Sequence, residues 1–149
     1  MKGYRSWHNG YIRQKYTYQL DLATGEWQRR RDMPYPRSGG EARLYRGQYM
    51  LVVGGSGHSQ EHNAVRPGRS QWAPASEEEW RGFHDQVLVY DSDEDIWSVL
   101  DRPMPYGMNT IQATLLEDTL YITGGEPATG FNFNTGDVVM KGKIRLLEK

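Results

Sequence analysis

The chain has 149 residues, of which 37% are hydrophobic, carries a formal net charge of -1 and contains no cysteine. This length fits a single domain, the near-neutral charge argues against a nucleic-acid partner, and the missing thiols exclude disulfides and thiolate metal ligands. No window approaches the roughly 20 apolar residues of a membrane span, and we expect neither a membrane partner nor a secretion signal. Composition leaves the cellular compartment open.

Short segments of alternating or β-branched character, separated by turn residues, predict an all-β protein. The first pair is YTYQLD and EWQRR, around the turn LATGE. EARLY and QYMLVVGG then meet at Arg46-Gly47, QVLVYD and IWSVL flank SDED, and IQATLL and TLYITGG meet at Glu117-Asp118. GDVVM and KIRLL predict two more strands around Lys141-Gly142. Each pair has the turn chemistry of an antiparallel hairpin.

The chain also repeats itself at an offset of 70 residues. The recurring marks are an aspartate, a tryptophan six residues later and a glycine doublet, at Asp21 and Asp91, Trp27 and Trp97, Gly54 and Gly124, and Gly55 and Gly125. We interpret these marks as structural. The glycines allow backbone conformations closed to other residues, or a close approach to a neighbouring strand. Both indoles are predicted to be largely buried against the adjacent repeat.

Four antiparallel strands per repeat are what a propeller blade requires, because each blade buries its faces only against its neighbours. LVVGG, YITGG and VYDSDEDIW resemble the kelch repeat, whose marks are a Gly-Gly doublet, a Tyr-Asp pair and a Trp six residues after the Asp. The resemblance implies a propeller of the galactose oxidase type. Its usual period of about 50 residues places an insertion between Gly55 and Asp85. The first repeat departs from the family with Leu20 in place of Tyr, and neither Tyr-Asp nor Trp recurs after Gly125.

We therefore predict that residues 1–149 form one partial kelch-type β-propeller of about two and a half four-stranded antiparallel blades, not closed within one chain. A half blade is placed at 16–31, a full blade at 41–101 with an insertion at 56–84, and a final blade at 110–149. A ring needs about 4 to 8 blades. We expect the missing blades to come from a longer protein of which this chain is a fragment, or else from homo-oligomerisation, with copies arranged head to tail.

Topology predicts the ligand-binding face. In an up-and-down blade, the loop between the second and third strands and the loop to the next blade open on one side, where binding groups collect. The inner candidates, near the central channel, are Tyr35, Arg37, Tyr106, Asn109 and Glu126, and the outer candidates, in the insertion, are His58, His62, Arg66, Arg69 and Trp72. Arg37 is preferred because a cation near the channel can hold an anion in a fixed fork. Arg37, Tyr106 and Glu126 are predicted to converge, with Arg29 to Arg31 elsewhere.

One motif in the insertion could suggest a metal. HSQEH, from His58 to His62, matches the H-x-x-E-H pattern of a metallopeptidase class, but its Gly, Ser and Asn neighbours supply no apolar stripe to hold a helix. We predict no metal site and no cofactor. The cysteine–tyrosine cross-link of galactose oxidase is excluded because the chain has no cysteine.

Two functions remain open. The first is a binding or interaction module, whose loop face contacts a protein or a glycan. The second is a sugar-acting enzyme, because kelch propellers with a long loop after Gly-Gly resemble the sialic-acid mutarotases, also called N-acetylneuraminate epimerases. By that resemblance Glu126 would match the general acid or base, and Arg37 would match the clamp on the carboxylate of a small acidic sugar.

Overall fold

The computed structural model describes residues 15–34, 36–56, 83–129, 132–133 and 138–145, which contain strands, turns and irregular segments. The strands are β1 (Thr17–Leu20), β2 (Trp27–Arg30), β3 (Ser38–Tyr45), β4 (Tyr49–Ser56), β5 (Leu88–Asp91), β6 (Ile96–Val99), β7 (Met108–Asn109), β8 (Gln112–Leu116), β9 (Thr119–Thr123), β10 (Glu126–Thr129), β11 (Asn132–Phe133) and β12 (Val139–Lys143). The described part of the chain contains no helix with the length and hydropathy of a membrane-spanning segment.

The strands pair into small antiparallel sheets. Blade 1 is the pair β1-β2, blade 2 is the four-stranded sheet β3-β4-β5-β6, and blade 3 is the sheet β8-β9-β12. A fourth small sheet joins β7, β10 and β11 in the order β11-β10-β7. None of the sheets formed by the described residues closes on itself. The predicted all-β, partial propeller is therefore confirmed.

The predicted turns in blades 2 and 3 adopt the expected backbone conformations. Arg46 and Gly47, with φ of 51° and 73°, lie between β3 and β4, and Glu117, with φ of 52°, lies between β8 and β9. The side chain of Asp91 closes the turn after β5, because its Oδ1 accepts from the main-chain nitrogen of Asp93 at 3.0 Å. Asp21 does the same after β1, through Ala23 N at 2.8 Å. The aspartate mark of the repeat is thus a turn-closing residue.

The last hairpin differs from the prediction. Lys141 and Gly142 do not form a turn but lie inside β12, opposite Tyr121 and Leu120 of β9. Gly142 lowers the strand propensity of this segment, but the pairing of β12 with β9 provides a main-chain ladder over five residues. That ladder outweighs the local turn preference, because each bond made in the sheet satisfies a main-chain group that would otherwise remain unpaired.

The core lies mainly between blades 2 and 3. Leu51 and Val53 of β4 are each 1% exposed, and they belong to one cluster with Ala113 and Ile122 of blade 3, which are 1% and 4% exposed. Met108, fully buried, comes from the connection between the two blades. Alternate residues of each strand therefore enter this interface, as the period of a strand requires.

Blade 1 is joined to blade 2 by polar contacts. The Tyr90 hydroxyl accepts from Arg30 Nε at 3.2 Å and donates to Asp95 Oδ1 at 2.7 Å. Asp95 Oδ1 also accepts from the main-chain nitrogen of Arg31 at 2.9 Å. The Trp97 indole nitrogen donates to the carbonyl of Arg31 at 2.8 Å. Blade 2 thus binds the side chain of Arg30 and both main-chain groups of Arg31.

The prediction that both indoles are largely buried is wrong for Trp27. Trp97 is half-buried and its ring centroid lies 4.9 Å from that of Tyr90, whereas Trp27 is 66% exposed. Trp97 is covered because it faces blade 1. Trp27 stands three residues before Arg30, whose side chain reaches blade 2, so Trp27 lies on the opposite face of β2. In the part of the chain that the structure describes, no further blade lies against that face.

A different polar cluster joins blade 2 to blade 3. The Tyr45 hydroxyl donates to Asp118 Oδ1 at 2.6 Å, and Arg46 Nη2 donates to the same oxygen at 3.0 Å. These bonds, with Tyr45 contributing most, lower the pKa of Asp118 below its ordinary value. Burial, followed by the bond to Asp118, raises the pKa of Tyr45. At the other junction, the bonds from Arg31 N and the Tyr90 hydroxyl lower the pKa of Asp95.

Acid is expected to weaken both blade junctions. The pKa values of Asp95 and Asp118 lie below 3.8 in the folded chain, so their contribution to stability is present above that pH and is lost as the pH falls through the lowered values. We expect the melting temperature to fall below about pH 4, and to fall less steeply for Asp118→Asn. Asp93→Asn, in an exposed turn, is the control. An unchanged acid slope in Asp118→Asn would contradict the assignment.

Candidate functional site

The two glycine doublets lie beside the connection between blades 2 and 3. Gly54 and Gly55 are among the last three residues of β4, with φ of 64° and 91°, and Gly124 and Gly125 follow β9 with φ of 64° and 88°. A β-carbon on Gly54 would lie 2.7 Å from the carbonyl oxygen of Met108, and one on Gly125 would lie 2.6 Å from that of Asn109. The doublets therefore provide both the left-handed backbone and the space in which this connection lies.

Main-chain hydrogen bonds hold further loop segments at the end of the blades that carries the two glycine doublets. The main-chain nitrogen of His84 donates to Gly55 O at 2.8 Å, and that of Met104 donates to Asp85 O at 2.8 Å. Thr110 N donates to Gly39 O, also at 2.8 Å. We call this surface the glycine face, formed by residues 37–40, 54–56, 83–86, 104–111 and 124–126. The turns of Arg46-Gly47 and Glu117-Asp118 lie at the opposite ends of β4 and β9.

Asn109 connects three segments of the glycine face. With its side-chain nitrogen directed at the carbonyls of β3, this nitrogen donates to Ser38 O at 3.0 Å and Gly39 O at 3.3 Å, and the side-chain oxygen accepts from the Thr110 hydroxyl at 3.3 Å. Gly39 has a φ of 73°, and a β-carbon there would collide with the Asn109 amide. Glu126, the first residue of β10, pairs with Asn109 of β7. The structure thus brings Asn109 and Glu126 side by side.

Arg37 lies at the edge of the glycine face, where its guanidinium donates hydrogen bonds to main-chain carbonyls. Nη1 donates to Val52 O at 3.3 Å and Gly54 O at 2.9 Å, and Nη2 donates to Gln86 O at 2.8 Å. These contacts tie the end of β4 to the segment that precedes β5. A role of Arg37 in ligand binding stays a prediction. Its visible contacts are structural ones.

Tyr106 is half-buried and packs against the core cluster, so its side chain anchors the connection between blades 2 and 3 to the core. Tyr35, His58, His62, Arg66, Arg69 and Trp72 lie outside the described residues. Within the described ranges, the structure therefore joins Asn109 and Glu126 directly, with Arg37 and Tyr106 at the margins of the same surface.

Comparison with known proteins adds to this geometry. No family model matches the chain. Over 57 residues it is 37% identical to mouse (Mus musculus) Kelch-like protein 35, covering 38% of this chain and 10% of that protein. A solved structure of YjhT aligns with a TM-score of 0.57 and 22% identity, covering 76% of this chain and 29% of the YjhT chain. The chain has a kelch-type β-propeller fold. It spans less than a third of either protein.

One residue of this kelch-type propeller that supports the glycine face, His84, was missed by sequence reasoning. Phe83 and His84, at the end of the predicted insertion, are 6% and 1% exposed. Their main chain lies against Gly107, where a β-carbon would collide with the Phe83 carbonyl. The available signal for His84 was its position at the end of the insertion, with only Asp85 between it and the strand QVLVYD.

The arginine run contributes to structure in blade 1. Arg29 forms an ion pair with Asp32 at 2.8 Å, and its guanidinium carbon lies 4.1 Å from the ring centroid of Tyr16. Arg30 and Arg31 form the junction with blade 2. Among the described residues, no group of three His, Asp or Glu side chains could hold a metal ion. HSQEH lies outside them.

Proposed function

We propose that this kelch-type propeller acts as a binding module whose glycine face contacts a polypeptide. The observation that carries the proposal is the link through Asn109, which ties the start of β3 to the connection between blades and lies next to Glu126. Loops held to a rigid scaffold at several points present a preformed surface, which lowers the entropic cost of binding.

Several residues of this surface are accessible to a partner. Ser38, Gly39, Gly40 and Thr110 are exposed, and Glu126 is half-buried. An acidic side chain beside exposed main-chain segments suits a partner that presents a cation and main-chain donors. A polypeptide offers both, through Lys or Arg side chains and its own amide groups. A glycan offers hydroxyl groups but no cation, so it matches Glu126 less well.

The second candidate is a sugar-acting enzyme of the sialic-acid mutarotase type. Glu126 provides a carboxylate on the glycine face, as this chemistry would require. The clamp for the sugar carboxylate is the weaker element, because the Arg37 guanidinium already donates to three main-chain carbonyls. Calorimetry with sialic acid tests this candidate. It requires that the parent chain binds the sugar and that Arg37→Ala, checked by thermal melting, weakens binding by about 1.5 to 3 kcal/mol. No binding by the parent removes it.

Charge reversal at Glu126 tests the binding module. Biotinylated parent chain and its Glu126→Lys variant are incubated with a cell extract, and captured proteins are quantified by mass spectrometry. We expect the Glu126→Lys variant to capture about tenfold less of its partner proteins than the parent, because a like charge at the contact costs at least about 1.4 kcal/mol. Glu94→Lys is the control, in the exposed turn between β5 and β6, at the opposite end of blade 2. Equal capture by both variants would place the partner on another surface.

A further inference from the structure

Thr110, on the glycine face, has an unusual backbone conformation. Its φ is 53°, in the left-handed region, which β-branched residues rarely adopt. The other described non-glycine residues with a positive φ are Arg46, Asp95 and Glu117. None of them is β-branched, and all three lie in hairpin turns at the other end of the blades. Among the described residues, Thr110 is thus the one β-branched residue in this conformation, and it lies on the proposed binding surface.

The preceding repeat has a glycine at the position of Thr110. The sequence Met-Pro-Tyr begins at Met33 and again at Met104, and Gly39 and Thr110 each lie six residues after that methionine. Gly39 has a φ of 73°, so both repeats use the left-handed conformation at this point of the fold. Glycine adopts it without steric cost. The chain instead carries threonine in the third repeat, where the side chain strains the backbone.

Main-chain contacts hold Thr110 in this conformation. Its N–H donates to Gly39 O at 2.8 Å, and the flanking residues Met108 and Ile111 are 0% and 5% exposed. Thr110 itself is exposed, and its hydroxyl bonds, among the described residues, to Asn109 alone. One exposed hydrogen bond contributes less than such strain costs. Stability therefore does not account for the threonine, and strained residues of this kind cluster at binding sites.

Asn109 determines what the Thr110 hydroxyl can offer a partner. The hydroxyl donates its one proton to the Asn109 side-chain oxygen at 3.3 Å, so its own oxygen is left as an acceptor. Glu126 of β10 pairs with Asn109 of β7, which places a carboxylate on the adjacent strand. This part of the glycine face thus presents two acceptors and one negative charge.

We infer that Thr110 and Glu126 together bind an arginine side chain of the polypeptide partner, an assignment that rests on the binding module proposed above. A guanidinium carries five N–H donors in a planar fork, so it can satisfy two acceptors while its charge pairs with the carboxylate. A lysine ammonium is a compact, strongly hydrated point charge and matches two separate acceptors less well. Thr110 is thus a specificity residue, present at a strained position because its oxygen contacts the partner.

Replacing Thr110 by glycine tests the strain. Glu117→Gly is the matched control, because Glu117 has a φ of 52° and is exposed at the opposite end of the blades. Both variants add the same flexibility to the unfolded chain. We expect Thr110→Gly to melt about 2 to 4 °C above Glu117→Gly, because the strain that it relieves is that of a β-branched residue. A melting temperature at or below that of Glu117→Gly would mean that Thr110 stabilises the fold, and would refute the inference.

The arginine preference is measured by NMR titration of the full chain with N-acetyl-arginine methylamide and, separately, with N-acetyl-lysine methylamide. We expect the arginine probe to shift the amide signals of Thr110 and Glu126 and to bind about tenfold more tightly, as one further charge-assisted hydrogen bond would provide. Thr110→Val keeps the β-branched shape without the oxygen, so it should lose this preference. Thr110→Ser keeps the oxygen and should retain it.

Equal affinity of the parent chain for the two probes, no shift with either probe, or a preference that survives in Thr110→Val would overturn the inference. The binding module is judged separately, by the capture experiment with Glu126→Lys. If Glu126→Lys loses its partner proteins while Thr110→Val retains them, the glycine face remains the binding surface, and its partner does not use arginine at Thr110.

Discussion

Replacing Gly54 by alanine is expected to lower the free energy of unfolding by about 2 to 5 kcal/mol. Gly54 has a φ of 64°, which costs an L-residue about 1 to 2 kcal/mol. The new β-carbon would also lie 2.7 Å from Met108 O and 2.8 Å from Ile111 Cδ1. Overpacking of this kind adds about 1 to 3 kcal/mol, and the main chain of the blade connection cannot move aside without disturbing Asn109.

Gly124→Ala separates these two costs. Gly124 has the same φ of 64°, but a β-carbon there would meet nothing within 4 Å. We expect it to lose only the backbone contribution of about 1 to 2 kcal/mol. Urea unfolding of both variants measures the difference. If the two losses are equal, the contact between the glycine doublet and the blade connection contributes nothing.

Leu51→Ala should produce a loss of similar size by another route. Leu51 is 1% exposed in the core between blades 2 and 3. Truncating a buried leucine costs about 2 to 5 kcal/mol, from lost burial and from the cavity that remains. Urea unfolding should show a lower midpoint with an unchanged slope, since a shift without a slope change reports stability alone.

The control for Leu51→Ala is Leu116→Ala. Leu116 is 63% exposed at the end of β8, and its truncation is expected to change stability by no more than about 0.5 kcal/mol. A loss at Leu116 as large as that at Leu51 would mean that the outer face of blade 3 is covered in solution.

Features set by the local main chain could be predicted from the sequence. Gly54 and Gly124 adopt left-handed conformations that an L-side chain disfavours, and the Asp91 turn needs one side-chain oxygen two residues away. Such requirements depend on a few adjacent residues. The repeat marks, most turns and the fold could therefore be predicted from the sequence.

Features that depend on distant neighbours could not be predicted. The burial of a tryptophan depends on whether another blade lies against it, and Trp27 and Trp97 carry the same local signal with different surroundings. The position of Arg37 in a loop could be predicted from the sequence, but the direction of its long side chain could not. Three carbonyls at β4 and Gln86 were available to its guanidinium, and no local pattern shows them.

The two blade junctions carry their Tyr, Asp and Arg side chains at different positions of the repeat, and this restricts the order in which the repeats can assemble. Tyr90 and Asp95 of the first junction correspond to Leu20 and Gly25 in the preceding repeat. Arg46, which contacts Asp118, occupies the turn position that Glu117 holds in the next repeat. Similar repeats can dock out of order while a chain folds. Here a pair with blade 3 in the place of blade 2 would set Leu116 and Glu117 where Tyr45 and Arg46 stand, opposite Gly47 in the position of Asp118. Neither of the two bonds to the Asp118 carboxylate would then form. The polar contacts of each junction therefore form only between the two blades that are neighbours in the native order.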